Sequence, residues 1–201
     1  MKLLLAFVFS FFAFTLAGAG QNMSSAQDTV SYVMDTSSYL AWSCDKHYGV
    51  VPLKSGVLKM VNGQPVEGNF VILMDSLKDK DIDYKLMRET LHNTLKSQFF
   101  FDVKNYPTVD FRLDYAEPAG KNTFNVSGDL KIKGVVNCIR FKSTIHADGK
   151  KLTAVSDKFF IDRTQYGITI YSESEAVDDN SVIVSDEIYF VVHLFGTRLS
   201  R

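Results

Sequence analysis

The chain has 201 residues, of which 46% are hydrophobic and 22% charged, with 22 Lys and Arg against 23 Asp and Glu. The proportions are ordinary for a globular protein, and the length fits one domain. The near balance of charge leaves no basic footprint, which excludes a nucleic-acid partner.

The first stretch is expected to lie outside the fold. Lys2 supplies a short positive start, Leu3 to Leu16 is almost wholly apolar, and Ala17-Gly18-Ala19 has the small-x-small form of a signal-peptidase site. Residues 1–19 therefore read as an export signal, too short for a membrane span of roughly 20 apolar residues. No integral membrane segment is expected in the mature chain, and no cysteine follows the cleavage region to carry a lipid anchor. Residues 20–30 are expected to be a flexible leader and 31–198 the folded domain. A periplasmic or secreted bacterial protein is the implied localisation.

Tyr32 to Asp35 and Ser38 to Cys44 are short strand-like runs, followed by a turn at Asp45 to Gly49 and a second turn at Lys54-Ser-Gly56. Val57 to Val61 is a third strand, closed by the hairpin dipeptide Asn62-Gly63. Val66 to Met74 is longer and apolar on both faces. One helix is expected over residues 81–97, where Met87, Leu91 and Leu95 recur four apart. Asp79, Asp81 and Asp83 crowd its start and would suit the positive end of the helix dipole. Leu95-Lys-Ser-Gln-Phe-Phe-Phe-Asp102 then leads into Tyr106-Pro107, where proline forces the preceding residue out of the helical region. Three consecutive phenylalanines are too apolar for a solvated connector and should plug something hollow.

Beyond this point the alternation is legible. Val109, Phe111, Leu113 and Tyr115 face one way, and Asp110, Arg112 and Asp114 the other. A turn at Glu117 to Asn122 follows, then Phe124, Val126, Leu130 and Ile132 oppose Asn125, Ser127, Asp129, Lys131 and Lys133. Gly134 marks a kink. Ile139, Phe141, Ser143 and Ile145 oppose Cys138, Arg140, Lys142, Thr144 and His146. Leu152 to Ile161 and Gly167 to Tyr171 are further strands. An acidic loop at Glu173 to Asn180 precedes the closing strand, in which Ile188, Phe190, Val192 and Leu194 share a face. Seven to nine such strands make an all-β antiparallel sheet, polar outside and apolar inside, that either closes into a barrel or folds into a sandwich.

No phosphate loop, nucleophile elbow, zinc-type His-Glu pair or Cys-x-x-Cys is present, and an enzyme is not expected. His47, His92, His146 and His193 fall on separate elements without ligand spacing and read as surface or wall residues. Asp162-Arg163 is either a turn pair or an ion pair at a binding mouth. A Cys44–Cys138 disulfide is disfavoured because Cys44 shares parity with inward Leu40 and Trp42, and Cys138 with outward Arg140 and Lys142. Trp42, Phe70, Phe99, Phe100, Phe111, Ile132, Phe141 and Phe190 would fall on or near one interior, as would Phe124 and Phe159. They form either a packed core or the lining of an apolar lumen.

Five ordered segments carry a resemblance: His47-Tyr-Gly49 with Lys54-Ser-Gly56; Leu95 to Asp102 followed by Tyr106-Pro107 and Phe111; Gly128-Asp-Leu-Lys-Ile-Lys-Gly134; Arg163-Thr-Gln-Tyr-Gly-Ile168; and Ser185-Asp-Glu-Ile188. In that order they resemble the YceI-like family of lipocalin-like, polyisoprenoid-binding proteins. Cys44, where a glycine is common, and Thr94, where a histidine is usual, depart from the pattern near the barrel mouth. The resemblance implies an extended eight-stranded antiparallel β-barrel with one helix, holding a polyisoprenoid or isoprenoid quinone in its lumen, and no catalytic residues, cofactor or metal. On it the eight residues from Trp42 to Phe190 above become candidate lumen contacts, and Arg163 the candidate for a head group. A homodimer is compatible with it.

Overall fold

The computed structural model describes residues 28–45, 47–178 and 181–200. The expected export signal and most of the expected leader lie outside the described residues. Eleven strands and one helix follow in order: β1 (Thr29–Met34), β2 (Tyr39–Cys44), β3 (His47–Val61), β4 (Gln64–Leu73), β5 (Lys78–Asp79), α1 (Lys85–Lys96), β6 (Thr108–Gly120), β7 (Thr123–Ile132), β8 (Val135–Ala147), β9 (Lys151–Ser156), β10 (Phe159–Asp162) and β11 (Glu187–Arg198). Strand β1 begins within the expected leader.

Every pairing is antiparallel, and the sheet closes on itself. β11 pairs β9 and β10 on one side and β2 and β1 on the other, while β2, β3, β4, β6, β7, β8 and β9 are neighbours in turn. β1 and β2 both lie between β11 and β3, and so act as one interrupted stave. β9 and β10 form a second interrupted stave, because each covers a different half of β11. With short β5 as an extra pairing on β3, the wall is the expected eight-stave barrel.

Local chemistry explains the tight corners. Asn62 and Gly63 both take positive φ, 51° and 79°, and join Val61 to Gln64 in a two-residue hairpin. Lys133 and Gly134 do the same at 50° and 82°, so the expected kink at Gly134 is a hairpin pairing Ile132 with Val135. Gly128 serves a different purpose. The ring of Phe111 lies across it, and an added Cβ would sit 2.5 Å from that ring and 2.4 Å from the Arg112 carbonyl oxygen.

Several expectations change. Lys54-Ser-Gly56 is a bulge inside the 15-residue β3, where the register against β4 shifts between Leu53 and Ser55. A second shift between Leu113 and Tyr115 reverses the parity of β6, which turns Tyr115 outward and Ala116 toward the core. The strand runs on to Gly120, so the turn expected at Glu117 to Asn122 shrinks to its last two residues. The helix starts at Lys85, four residues late, with no acidic residue in its first turn. Asp79 and Asp81 are instead drawn to His92 and His47. Residues 167–171 are not a strand. Carbonyls there are taken by the Arg163 side chain rather than by a neighbouring strand.

Candidate functional site

The inward faces of the staves enclose a cavity of about 910 Å³. Its wall is built from alternate residues of each strand, as the period-two geometry requires. A girdle of phenylalanine rings runs around it from stave to stave: Phe70 on β4, Phe111 on β6, Phe141 on β8, Phe159 on β10 and Phe190 on β11. Successive centroids lie 6.2, 5.7, 4.6 and 5.9 Å apart, within the range of favourable aromatic pairs. Phe111, Phe141, Phe159 and Phe190 point inward and yet are only half-buried, because what they face is the lumen. A filled core would bury such rings fully.

Trp42, Phe70, Phe100, Phe111, Ile132, Phe141 and Phe190 all line the cavity. Phe99 is the exception: it is 58% exposed and points away, while Phe101 takes a place in the wall. The reason is local. Backbone hydrogen bonds from Phe100, Phe101 and Asp102 back to Ser97 and Leu95 coil the connector into a tight turn, which sends neighbouring side chains in different directions. Phe100, 6% exposed, enters the barrel end as the Phe-rich sequence suggested.

Arg163 also reaches the cavity wall, at 1% exposure. Its Nε donates to the Ser185 carbonyl, Nη1 to those of Ile168 and Ile170, and Nη2 to that of Val184. Nη2 also lies 2.9 Å from Asp186 Oδ1. Four of the five N–H groups of the guanidinium are hydrogen-bonded to carbonyls, and the carboxylate of Asp186 balances its charge. Arg163 thus laces the segment 168–170 to the segment 184–186, with most of its donors taken within the fold. The Phe100 ring packs 5.9 Å from its Cζ.

One end of the cavity is open. α1 lies across it with Leu91, Thr94 and Leu95 facing in, and no residue of the helix is fully buried. Three polar contacts hold the helix and its approach. His92 Nε2 lies 2.8 Å from Asp79 Oδ1, Lys96 Nζ donates to the carbonyl and carboxylate of Asp75, and His47 Nδ1 lies 2.7 Å from Asp81 Oδ2. Burial opposes ionisation of Asp81, but the Tyr48 N–H and His47 outweigh it and hold its carboxyl below the usual range. Across the mouth, Val182, Ile183 and Val184 complete the lining. The sequence places an acidic loop at Glu173 to Asn180 and assigns nothing to residues 182–184. The Val182-Ile183-Val184 run just after that loop is the signal for this part of the lining.

The polar groups of the wall are few. Cys44, Asp45 and His47, from the end of β2 and the start of β3, line the cavity near Arg163. Burial first, and the Asp45 carboxylate second, push the Cys44 thiol up to about 11, so it stays protonated and unreactive at neutral pH. Both cysteines are free, Cys138 on the exposed outer wall and Cys44 inside, as their opposite parities required. Among the described residues no group of three or more His, Cys, Asp or Glu side chains could hold a metal ion.

Comparison with known proteins matches the model of the YceI-like domain to residues 23–194. A UPF0312 protein of Pseudomonas putida (strain W619) is 38% identical over 56 residues, and one of Pseudomonas savastanoi pv. phaseolicola 36% over the same length. Those matches cover 28% of this chain, which thus spans about three-tenths of the length of these curated relatives (29%). Among solved structures, Burkholderia cenocepacia BcnA superposes with a TM-score of 0.65 at 22% identity, covering 82% of this chain and 99% of BcnA. A polyisoprenoid-binding domain from Saccharophagus degradans gives 0.60 at 13% identity, covering 84% and 98% respectively. At these identities the two structures establish a shared fold.

Proposed function

This chain belongs to the YceI-like family, and on that premise we propose that it is an exported carrier or sequestering protein for an isoprenoid lipid, either a polyisoprenoid or an isoprenoid quinone. It acts by binding and not by catalysis. The apolar chain lies in the lumen against the phenylalanine girdle, with Trp42, Ile132 and Phe100 as further contacts, and the polar end remains near the mouth. The observation that carries this reading is the girdle of inward rings left half-exposed around a cavity of about 910 Å³. One neighbouring structure, described as a polyisoprenoid-binding domain, supports the ligand class. Export rests on the form of residues 1–19.

Magnitudes allow binding without a polar anchor. At about 0.3 kcal/mol per heavy atom, each five-carbon unit contributes about 1.5 kcal/mol, and some six units reach micromolar affinity. Native mass spectrometry of the purified mature protein, followed by organic extraction and lipid analysis, tests the proposal. A co-purifying prenyl lipid, lost on Phe111→Asp in a protein that still folds, is the expected outcome. A homogeneous ligand-free mass, with no uptake of added prenyl lipids, would overturn it.

A further inference from the structure

The mouth of the cavity is ringed by large apolar side chains that no part of the described chain covers. On the helix side, Tyr84 caps α1, and Leu86 and Met87 in its first turn are 64% and 61% exposed. Met87 is four residues before Leu91, on the same helical face, so it continues the lumen lining outward beyond the wall. On the facing side, Val182 and Ile183 are both exposed and both line the cavity. On the Val182–Ile183 side, exposed apolar surface is therefore continuous with the lumen lining. On the helix side charges of both signs are present, with Lys85 3.7 Å from Glu89 and Lys80 and Asp83 both exposed, while exposed Glu173 and Glu175 precede the Val182 side.

We infer that this rim inserts into the surface of a lipid bilayer, so that the lumen opens into the acyl region and the ligand passes without crossing water. The inference rests on the lipid-carrier reading for its purpose, and on the exposed rim for its geometry. The physical need is steep. Each CH2 group that must be exposed to water during transfer slows release about fourfold, so a chain of several five-carbon units cannot leave a membrane through solvent on a useful timescale. A mouth that rests on the bilayer removes that step. With no basic patch at the rim, docking on a zwitterionic bilayer is by apolar insertion and depends little on ionic strength, unlike electrostatic attachment to anionic lipid.

The test is flotation of the mature protein with phosphatidylcholine vesicles that contain no isoprenoid, at low and high salt, beside the double variant Leu86→Glu, Met87→Glu. Both sites are exposed and take a good helix former, so the variant keeps its fold. Its far-ultraviolet circular dichroism and its uptake of farnesol from aqueous solution serve as controls. Wild type is expected to float at both salt concentrations, and the variant to float at least tenfold less while taking up farnesol normally. Failure of wild type to float, or equal flotation of the variant, overturns the inference. So does a wild-type dimer in solution that the substitutions dissociate without any flotation, since the rim would then be covered by a second copy. If neither protein takes up farnesol or prenyl alcohols of six or more units, the carrier reading fails, and flotation still decides the docking surface separately.

Discussion

Val192→Trp distinguishes an open lumen from a packed core. Val192 lies on β11 two residues from Phe190, lines the cavity, and is half-buried because it faces empty volume. In a filled core, a Val-to-Trp change forces neighbours off their rotamers and costs about 1–3 kcal/mol or more. Here the indole has somewhere to go, so stability should change by less than about 1 kcal/mol, or some 2–4 °C in Tm for a chain this size. The same ring occupies space that the ligand needs. If it displaces one five-carbon unit, binding weakens by about 1.5 kcal/mol, roughly tenfold in Kd. The assay is a titration of wild type and Val192→Trp with prenyl alcohols of increasing chain length, beside thermal melts of both. Wild-type affinity should rise about tenfold per five-carbon unit until the lumen is full, and the variant should reach its plateau one unit earlier. A flat chain-length series, or a variant destabilised by about 3 kcal/mol, would refute an open lumen.

Arg163→Met removes a buried guanidinium whose partners are four carbonyls and Asp186, and should cost about 3–5 kcal/mol in urea unfolding, the range for breaking a buried ionic network. Arg163→Lys restores the charge without the planar fork and should recover only part of that loss. Gly128→Ala drives a methyl against the Arg112 carbonyl, which cannot yield as a side chain would, and is expected to lower stability by about 1–3 kcal/mol in thermal melts. For the thiols, iodoacetamide at pH 8 should label exposed Cys138 and spare Cys44, whose deprotonation is deferred to about 11. Peptide mapping that finds Cys44 labelled as fast as Cys138 would contradict its place inside the wall.

Much of the barrel was legible because side-chain alternation is a local property. Phe111, Ile132, Phe141 and Phe190 were assigned to the interior by parity alone, and parity also separated Cys44 from Cys138. The hairpin at Asn62-Gly63 followed from two residues that tolerate positive φ. Parity failed where one extra residue entered a strand. The β6 bulge reversed the orientation of Tyr115 and Ala116, and nothing in the local pattern announces a bulge, since it depends on how the partner strand pairs. The Phe-Phe-Phe run pointed to a barrel plug, yet only Phe100 and Phe101 face the lumen, because connector turns decide direction residue by residue.

Composition and alternation thus determined an all-β wall with an apolar inside, one helix, and the faces on which most side chains lie. The tertiary structure decided what period-two sidedness cannot express. Sidedness tells which way a residue points and not whether another residue meets it there, so the open lumen became visible only from rings that face inward and remain half-exposed. The same holds for Arg163, four of whose donors find carbonyls distant in sequence as well as near ones, and for the rim, where the start of α1 and the Val182–Val184 run meet across the mouth. Those relations arise from closure of the sheet, which brings residues about 100 positions apart to one opening, and no local pattern records them.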